Sequence, residues 1–144
     1  MTAKTGKRVV LDSFAVLALL QGQPAAQHVA DVLSDGEPWM TLVNLGEVTY
    51  IVERTHGKAA ADDIFANLLA EERPGGGAPL RWLPIDERLV RRAASLKAAG
   101  SLSYADCFAA AAAAMLGCPI LTGDPEFVAA ERAGITVTWL QESV

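Results

Sequence analysis

Apolar positions along the chain fall into two alternating textures. Short runs dense in Val, Ile, Leu and Trp occur at KRVVLD (7–12), PWMTLV (38–43), PLRWLPI (79–85), CPILTGD (118–124) and GITVTWL (134–140), and read as β-strands. Between them lie longer stretches in which apolar residues return every three or four positions: SFAVLALLQG, PAAQHVADVLSD, NLGEVTYIVERTHG, KAAADDIFANLLAEER, DERLVRRAASLKAAG, SYADCFAAAAAAML and DPEFVAAERAG. Gly or Pro stands near most of their ends, as at helix boundaries. Strands separated by helices imply a parallel sheet covered on both faces. The pattern therefore predicts an α/β fold of three layers, with about five short strands and seven helices. PGGGAP (74–79) lacks the Gly-Lys-Ser/Thr ending of a phosphate-binding loop and reads as a surface connection. The run Ala109–Ala114 lies inside a predicted helix, where small side chains permit close packing.

Within VVLDSFAVLALL (9–20) a single carboxylate, Asp12, interrupts the apolar run. Burying it costs several kcal/mol unless something compensates it. Its simplest role is a helix N-cap at the strand-to-helix junction. Three further acids have equally local explanations. Asn44 to Glu47 and Ser103 to Asp106 both show capping-box spacing ahead of an apolar helix. Asp124 precedes Pro125, an N-cap before a proline suited to the first helical turn. Together the four carry more weight. Asp12, Glu47 and Asp124 each follow a predicted strand, which puts them along the carboxyl edge of a parallel sheet, where such folds bind ligands. Asp106 opens the helix leading into the strand before Asp124, so a short crossover brings it to the same edge. Four converging carboxylates repel one another unless protons or a cation intervene, and oxygen-only ligation suits Mg²⁺ or Mn²⁺ rather than zinc.

Composition narrows the chemistry further. The 144 residues are 51% hydrophobic, consistent with one domain (1–144) that has a sizeable core. KTGKR before the first apolar run has the flavour of a signal peptide, but Asp12 breaks that run and no small-residue cleavage site closes it. No apolar stretch reaches the roughly 18 residues of a membrane span, so a soluble protein is expected. Twelve Lys and Arg against 17 Asp and Glu give a formal charge of −5, so a nucleic-acid partner needs local basic groups or bound cations. Lys7, Arg8, Arg54, Lys58, Arg88, Arg91, Arg92 and Lys97 are the available phosphate contacts, though each taken singly is better explained as part of a solvated face. Cys107 and Cys118 read as buried free thiols. With His28 and His56 the only histidines, neither zinc binding nor histidine catalysis has material to work with.

VVLDSFAVLALL, NLGEVTYIV, SYADCFAAAAA and LTGDPEF, in this order, resemble the motifs of PIN-domain ribonucleases, and more narrowly those of VapC-type toxins. The resemblance covers nearly the whole chain. It implies an α/β/α PIN-like domain with a central parallel sheet, dependence on Mg²⁺ or Mn²⁺, and endoribonuclease activity in the cytoplasm. It further implies a cognate VapB-type antitoxin over the site groove and a homodimer. Carried over by position, the catalytic quartet is Asp12, Glu47, Asp106 and Asp124, with Asp12, Asp106 and Asp124 on the metal and Glu47 ligating it or orienting water. Ser13 and Thr122 match supporting small polar positions. Glu126, the nearest further acid in the last motif, is read as a solvated first-turn residue and left out of the set. The rival reading is a PIN-like module that binds RNA or protein and uses its acids only for structure. A dehalogenase-like phosphatase would need a second Asp two positions after the first, where this chain has Phe14.

Overall fold

The computed structural model describes residues 7–71 and 79–141. Five strands, β1 (Lys7–Leu11), β2 (Gly36–Met40), β3 (Arg81–Trp82), β4 (Ile120–Thr122) and β5 (Val137–Trp139), form one sheet in the order β3-β2-β1-β4-β5. Every pairing is parallel. Among the described residues seven α-helices connect them: α1 (Ser13–Leu20), α2 (Ala26–Asp35), α3 (Leu42–His56), α4 (Lys58–Leu69), α5 (Glu87–Ala99), α6 (Tyr104–Leu116) and α7 (Val128–Arg132). The α/β class, the parallel sheet and the helix count agree with the sequence pattern. Residues 74–78 of the PGGGAP loop lie outside the described residues.

Alternation along the strands sorts the core into two layers. Val9 and Leu11 of β1, Met40 of β2 and Leu121 of β4 face one side and pack with Ala15, Val29, Leu45, Val48 and Ala61. Val10 and Ile120 face the other, against Leu89, Phe108, Phe127 and the alanines of α6. A strand buried on both faces has no solvent side to mark with polar residues, which is why VVL and ILT read as unbroken apolar runs. Ala109–Ala113 are each at most 1% exposed. Methyl side chains let α6 lie close over β1 and β4, and alanine gives the helix its best intrinsic propensity.

Several boundaries differ from expectation. β2 starts at Gly36 and stops at Met40, two residues earlier at its start and three at its end than the PWMTLV run. Thr41 takes extended geometry and its hydroxyl accepts the Asn44 N–H at 3.2 Å, so the helix begins at Leu42. Thr41, not Asn44, is the cap. Asn44 is the third helical residue and Glu47 lies a turn further on, so the capping-box explanation of Glu47 fails. At the other end of β2, Gly36 passes so close to its neighbours that an added Cβ would stand 2.8 Å from the Val32 carbonyl oxygen. Only glycine lets α2 turn directly into the strand. β3 contracts to two residues. The last helical stretch splits into a 3₁₀ turn, Pro125–Phe127, followed by α7.

The chain runs outward from β1 to β2 and β3, then crosses by α5 and α6 to lay β4 along the other side of β1. Val10 and Leu11 pair with Ile120 and Leu121 in that second contact. The connections thus reverse direction between β1 and β4, and the carboxyl ends of those two strands border the crevice that such a switch point opens.

Candidate metal centre

Asp12 ends β1 and caps α1, accepting the Ala15 N–H at 2.8 Å. Its second carboxylate oxygen accepts the Thr122 hydroxyl at 2.5 Å. The same Thr122 oxygen accepts the Asp124 N–H at 3.0 Å, and Asp124 caps the 3₁₀ turn by accepting the Glu126 N–H at 3.0 Å. Asp106 is the third residue of α6, where Ser103 caps the helix by accepting the Asp106 N–H at 3.2 Å. The local capping readings of Asp12 and Asp124 therefore hold, but they are only half of each residue's environment. Capping accounts for one oxygen of Asp12 and one of Asp124, and Thr122 takes the second oxygen of Asp12. Carboxylate oxygens of Asp106, Asp124 and Glu126 all lie within 4.8 Å of one another.

Electrostatics link the other acids to this group. Burial drives the Asp12 pKa up to about 7, and the charges of Asp106 and Asp124 add to it against the opposing hydrogen bonds from Thr122 and Ala15. Asp106 rises to about 6, again chiefly by burial, with Glu47, Asp124 and Glu126 contributing and Ser103 opposing. The raised values mark carboxylates whose ionised forms are disfavoured by burial and by one another. Among the described residues the ion pairs are Arg8 and Arg81 with Glu37, and Lys58 with Asp62, none of which reaches these acids. A hard divalent cation fits such a donor set, all oxygen and strongly like-charged.

The two supporting positions differ in kind. Thr122 binds Asp12 directly. Ser13 is buried, but its hydroxyl donates to the backbone oxygen of Asn44 at 3.2 Å rather than to an acid. Two residues join the site that sequence reasoning had set aside. Glu126 contributes to the oxygen cluster, and its signal was the Asp-Pro-Glu spacing, because a 3₁₀ turn capped by Asp124 swings the residue two positions on back toward the cap. Asn44, read as a helix cap, is fully buried and bonds across to α6, donating its side-chain N–H to the Ala105 carbonyl at 3.0 Å.

Several of the basic candidates make local contacts within the fold. Lys58 pairs with Asp62, Arg54 stacks over Tyr50, Arg91 donates to Ser95, and Lys97 donates to the Leu102 carbonyl. An exposed ion pair such as Lys58 with Asp62 adds little to stability. Arg88, Arg91 and Arg92 do share α5, but Arg92 lines a cleft of about 540 Å³ with Gly117, Cys118, Pro119 and Ile135 at the amino edge of the sheet, opposite the acids. His28 accepts the Gln141 N–H at 2.8 Å, tying the segment after β5 to α2. Cys107 is buried and Cys118 half-buried, both free, and burial pushes both thiols up, away from reactivity. No single helix among the described residues is long and apolar enough to cross a membrane.

Comparison with known proteins bears on the fold and the family. The family profile described as PIN domain matches residues 9–133. No curated protein matches by sequence. Among solved structures, VapBC2 from Rickettsia felis, bound to a promoter DNA fragment, superposes with a TM-score of 0.69 at 12% identity over 93% of this chain and 99% of the other. VapC20 from Mycobacterium tuberculosis, a toxin that cleaves the sarcin-ricin loop, gives 0.69 at 18% identity over 89% and 96%. FitAcB from Neisseria gonorrhoeae gives 0.64 at 20% identity over 90% and 95%. At such identities the likeness is one of fold.

Proposed function

Because this chain belongs to the PIN-domain family, we propose that it is a metal-dependent endoribonuclease, the toxin of a VapBC-type toxin-antitoxin pair. One observation carries the reading: buried and half-buried carboxylates from the end of β1, α6 and the turn after β4 gather at the carboxyl edge of the sheet, and among the described residues no ion pair offsets them. A structural cluster of acids would relieve that repulsion with a lysine or arginine. A metal-binding site leaves it for the ion.

In this reading Asp106 and Asp124 hold a Mg²⁺ or Mn²⁺ ion together with Asp12, and Glu126 adds a fourth oxygen donor. Such an ion neutralises charge on phosphoryl oxygens and lowers the pKa of a bound water. The protein's own part is to aim the donors. Thr122 fixes one Asp12 oxygen, the Ala15 N–H fixes the other, and the α6 cap at Ser103 holds the Asp106 backbone. Glu47, on the facing helix α3 and close enough to perturb Asp106, orients the attacking water or completes the ligand set. The scissile RNA strand lies along the crevice between the ends of β1 and β4. Several structural neighbours are toxin-antitoxin complexes, which supports a cognate antitoxin as partner, and a homodimer is the assembly expected of this family.

Purified protein incubated with total RNA and with a sarcin-ricin-type hairpin tests the reading. Cleavage with Mg²⁺ or Mn²⁺, its loss in excess EDTA and its loss in Asp124→Asn are expected. Undiminished cleavage in EDTA by a contaminant-free preparation would overturn the metal mechanism, and metal binding with no cleavage of any RNA would favour a binding module.

A further inference from the structure

We propose that Asn44 is a positioning residue that sets the first turn of α6, and with it the Asp106 carboxylate, relative to the end of β1. The inference rests on the reading of the acids as a metal site. Asn44 is 0% exposed and its polar groups are spent in three directions. Its side-chain oxygen accepts the Thr41 hydroxyl at 2.6 Å, its side-chain nitrogen donates to the Ala105 carbonyl at 3.0 Å, and its backbone oxygen accepts the Ser13 hydroxyl at 3.2 Å. Ala105 directly precedes Asp106, and Ser13 directly follows Asp12. Glu47 lies three positions along the same helix. One buried residue, through its side chain and its backbone oxygen, thus connects the segments that carry three of the four predicted acids.

The chemistry explains why an asparagine stands here. The Ala105 carbonyl can only accept, so the nitrogen of the amide must face it and the oxygen must face Thr41. Thr41 Oγ1 already accepts the Asn44 N–H at 3.2 Å, which commits its own proton to the Asn44 side-chain oxygen. The amide orientation is therefore fixed by its partners. An aspartate in its place would set a further negative charge beside Asp106 and turn a lone pair toward the Ala105 carbonyl. An alanine would strand both the Thr41 hydroxyl and the α3–α6 link. Among the described residues no buried side-chain N or O atom lacks a hydrogen-bond partner, so the network is closed, and removing one member leaves others unpaired.

Asn44→Ala and the volume-filling Asn44→Leu test the role, with Val29→Ala in α2 as a destabilised control whose cavity lies elsewhere in the core. Two quantities are read on folded, full-length protein well below each melting temperature: the Kd for Mn²⁺ by titration calorimetry, and metal-free amide exchange at Asp106 and Cys107. Outer-sphere partners of a metal site are worth about 10–100-fold in affinity. Both Asn44 variants should therefore bind Mn²⁺ at least about tenfold more weakly and exchange the α6 first-turn amides faster. Val29→Ala should change neither quantity while lowering the melting temperature. A wild-type Mn²⁺ Kd in either Asn44 variant, unchanged exchange at Asp106 and Cys107, or equal weakening in Val29→Ala overturns the proposal. Failure of the wild-type protein to take up Mn²⁺ would instead overturn the metal reading, and the exchange measurement would still decide whether Asn44 holds α6.

Discussion

The hydroxyl of Thr122 bonds the carboxylate of Asp12 across 110 positions of sequence. The same oxygen takes the Asp124 N–H, so one small side chain at the end of β4 orients an acid on each side of the crevice. Replacing it by valine keeps the shape and deletes both bonds. Thr122→Val should cost about 1–3 kcal/mol through the groups left unpaired, and lower metal affinity or cleavage by about 10–100-fold. Thr122→Ser should recover most of both, as melting curves and cleavage rates on one RNA would report.

Asp12→Asn separates capping from metal binding. Asparagine caps helices as well as aspartate does, and it removes a charge that burial and two neighbouring acids disfavour. The metal-free melting temperature at pH 8 should be unchanged or higher while cleavage falls by more than about 100-fold, the upper range for partners of a metal site. A variant that melts lower and still cuts RNA would assign Asp12 to the scaffold alone.

The raised pKa values fix the sign of a pH effect. Asp12 at about 7 and Asp106 at about 6 hold protons in the folded, metal-free protein at pH values where the unfolded chain, near 3.8, has released them. The folded state then binds more protons than the unfolded state, and stability falls as pH rises. The contribution from these two acids should be fully present below about pH 4 and decline to a floor above about pH 7. Mg²⁺ needs the ionised forms, so the rise in melting temperature it produces should be larger at pH 8 than at pH 5. Melting curves with EDTA and with Mg²⁺ across that range check both, and in Asp12→Asn the metal-free decline should flatten.

Gly123, between Thr122 and Asp124, is required by a close approach rather than by an unusual backbone angle. An added Cβ would meet the Phe14 ring at 2.5 Å. Phe14 is 41% exposed and can swing outward, so Gly123→Ala should destabilise modestly in the wild-type background and less with Phe14→Ala. A double-mutant cycle should return a coupling energy of about 0.5–3 kcal/mol. Additive costs would mean that the ring does not rest on this glycine.

Much of the architecture was legible in the sequence because the strands are buried on both faces. Val9 to Leu11 and Ile120 to Thr122 had to be apolar throughout or small and hydrogen-bonded, and the helices had to repeat every three to four residues. The misplaced end of β2 has a local cause. Thr41 is apt both as a strand residue and as an N-cap, and only the tertiary position of α3 decides between them. Asp12, Asp106 and Asp124 could be singled out because each stands at an element junction on one edge of the sheet, although capping alone explains a carboxylate at such a place. Glu126 was not, since a 3₁₀ turn and an α-helix share the same opening residues but aim the second one differently. Nor was the link from Asn44 to Ala105, because a hydrogen bond between α3 and α6 leaves no periodic trace in the chain.

The adjacency of β1 and β4 has a consequence for how the protein is made. Asp12 emerges from the ribosome well before its neighbours in the crevice, which come from α6 and from the turn after β4. A nascent chain therefore carries Asp12 and Glu47 without Asp106 and Asp124, and the space proposed to receive an ion does not form until β4 slots in beside β1. If the chain cuts RNA as proposed, the translating ribosome and its message are shielded from their own product by the order of the strands, until β4 and the turn after it have been made.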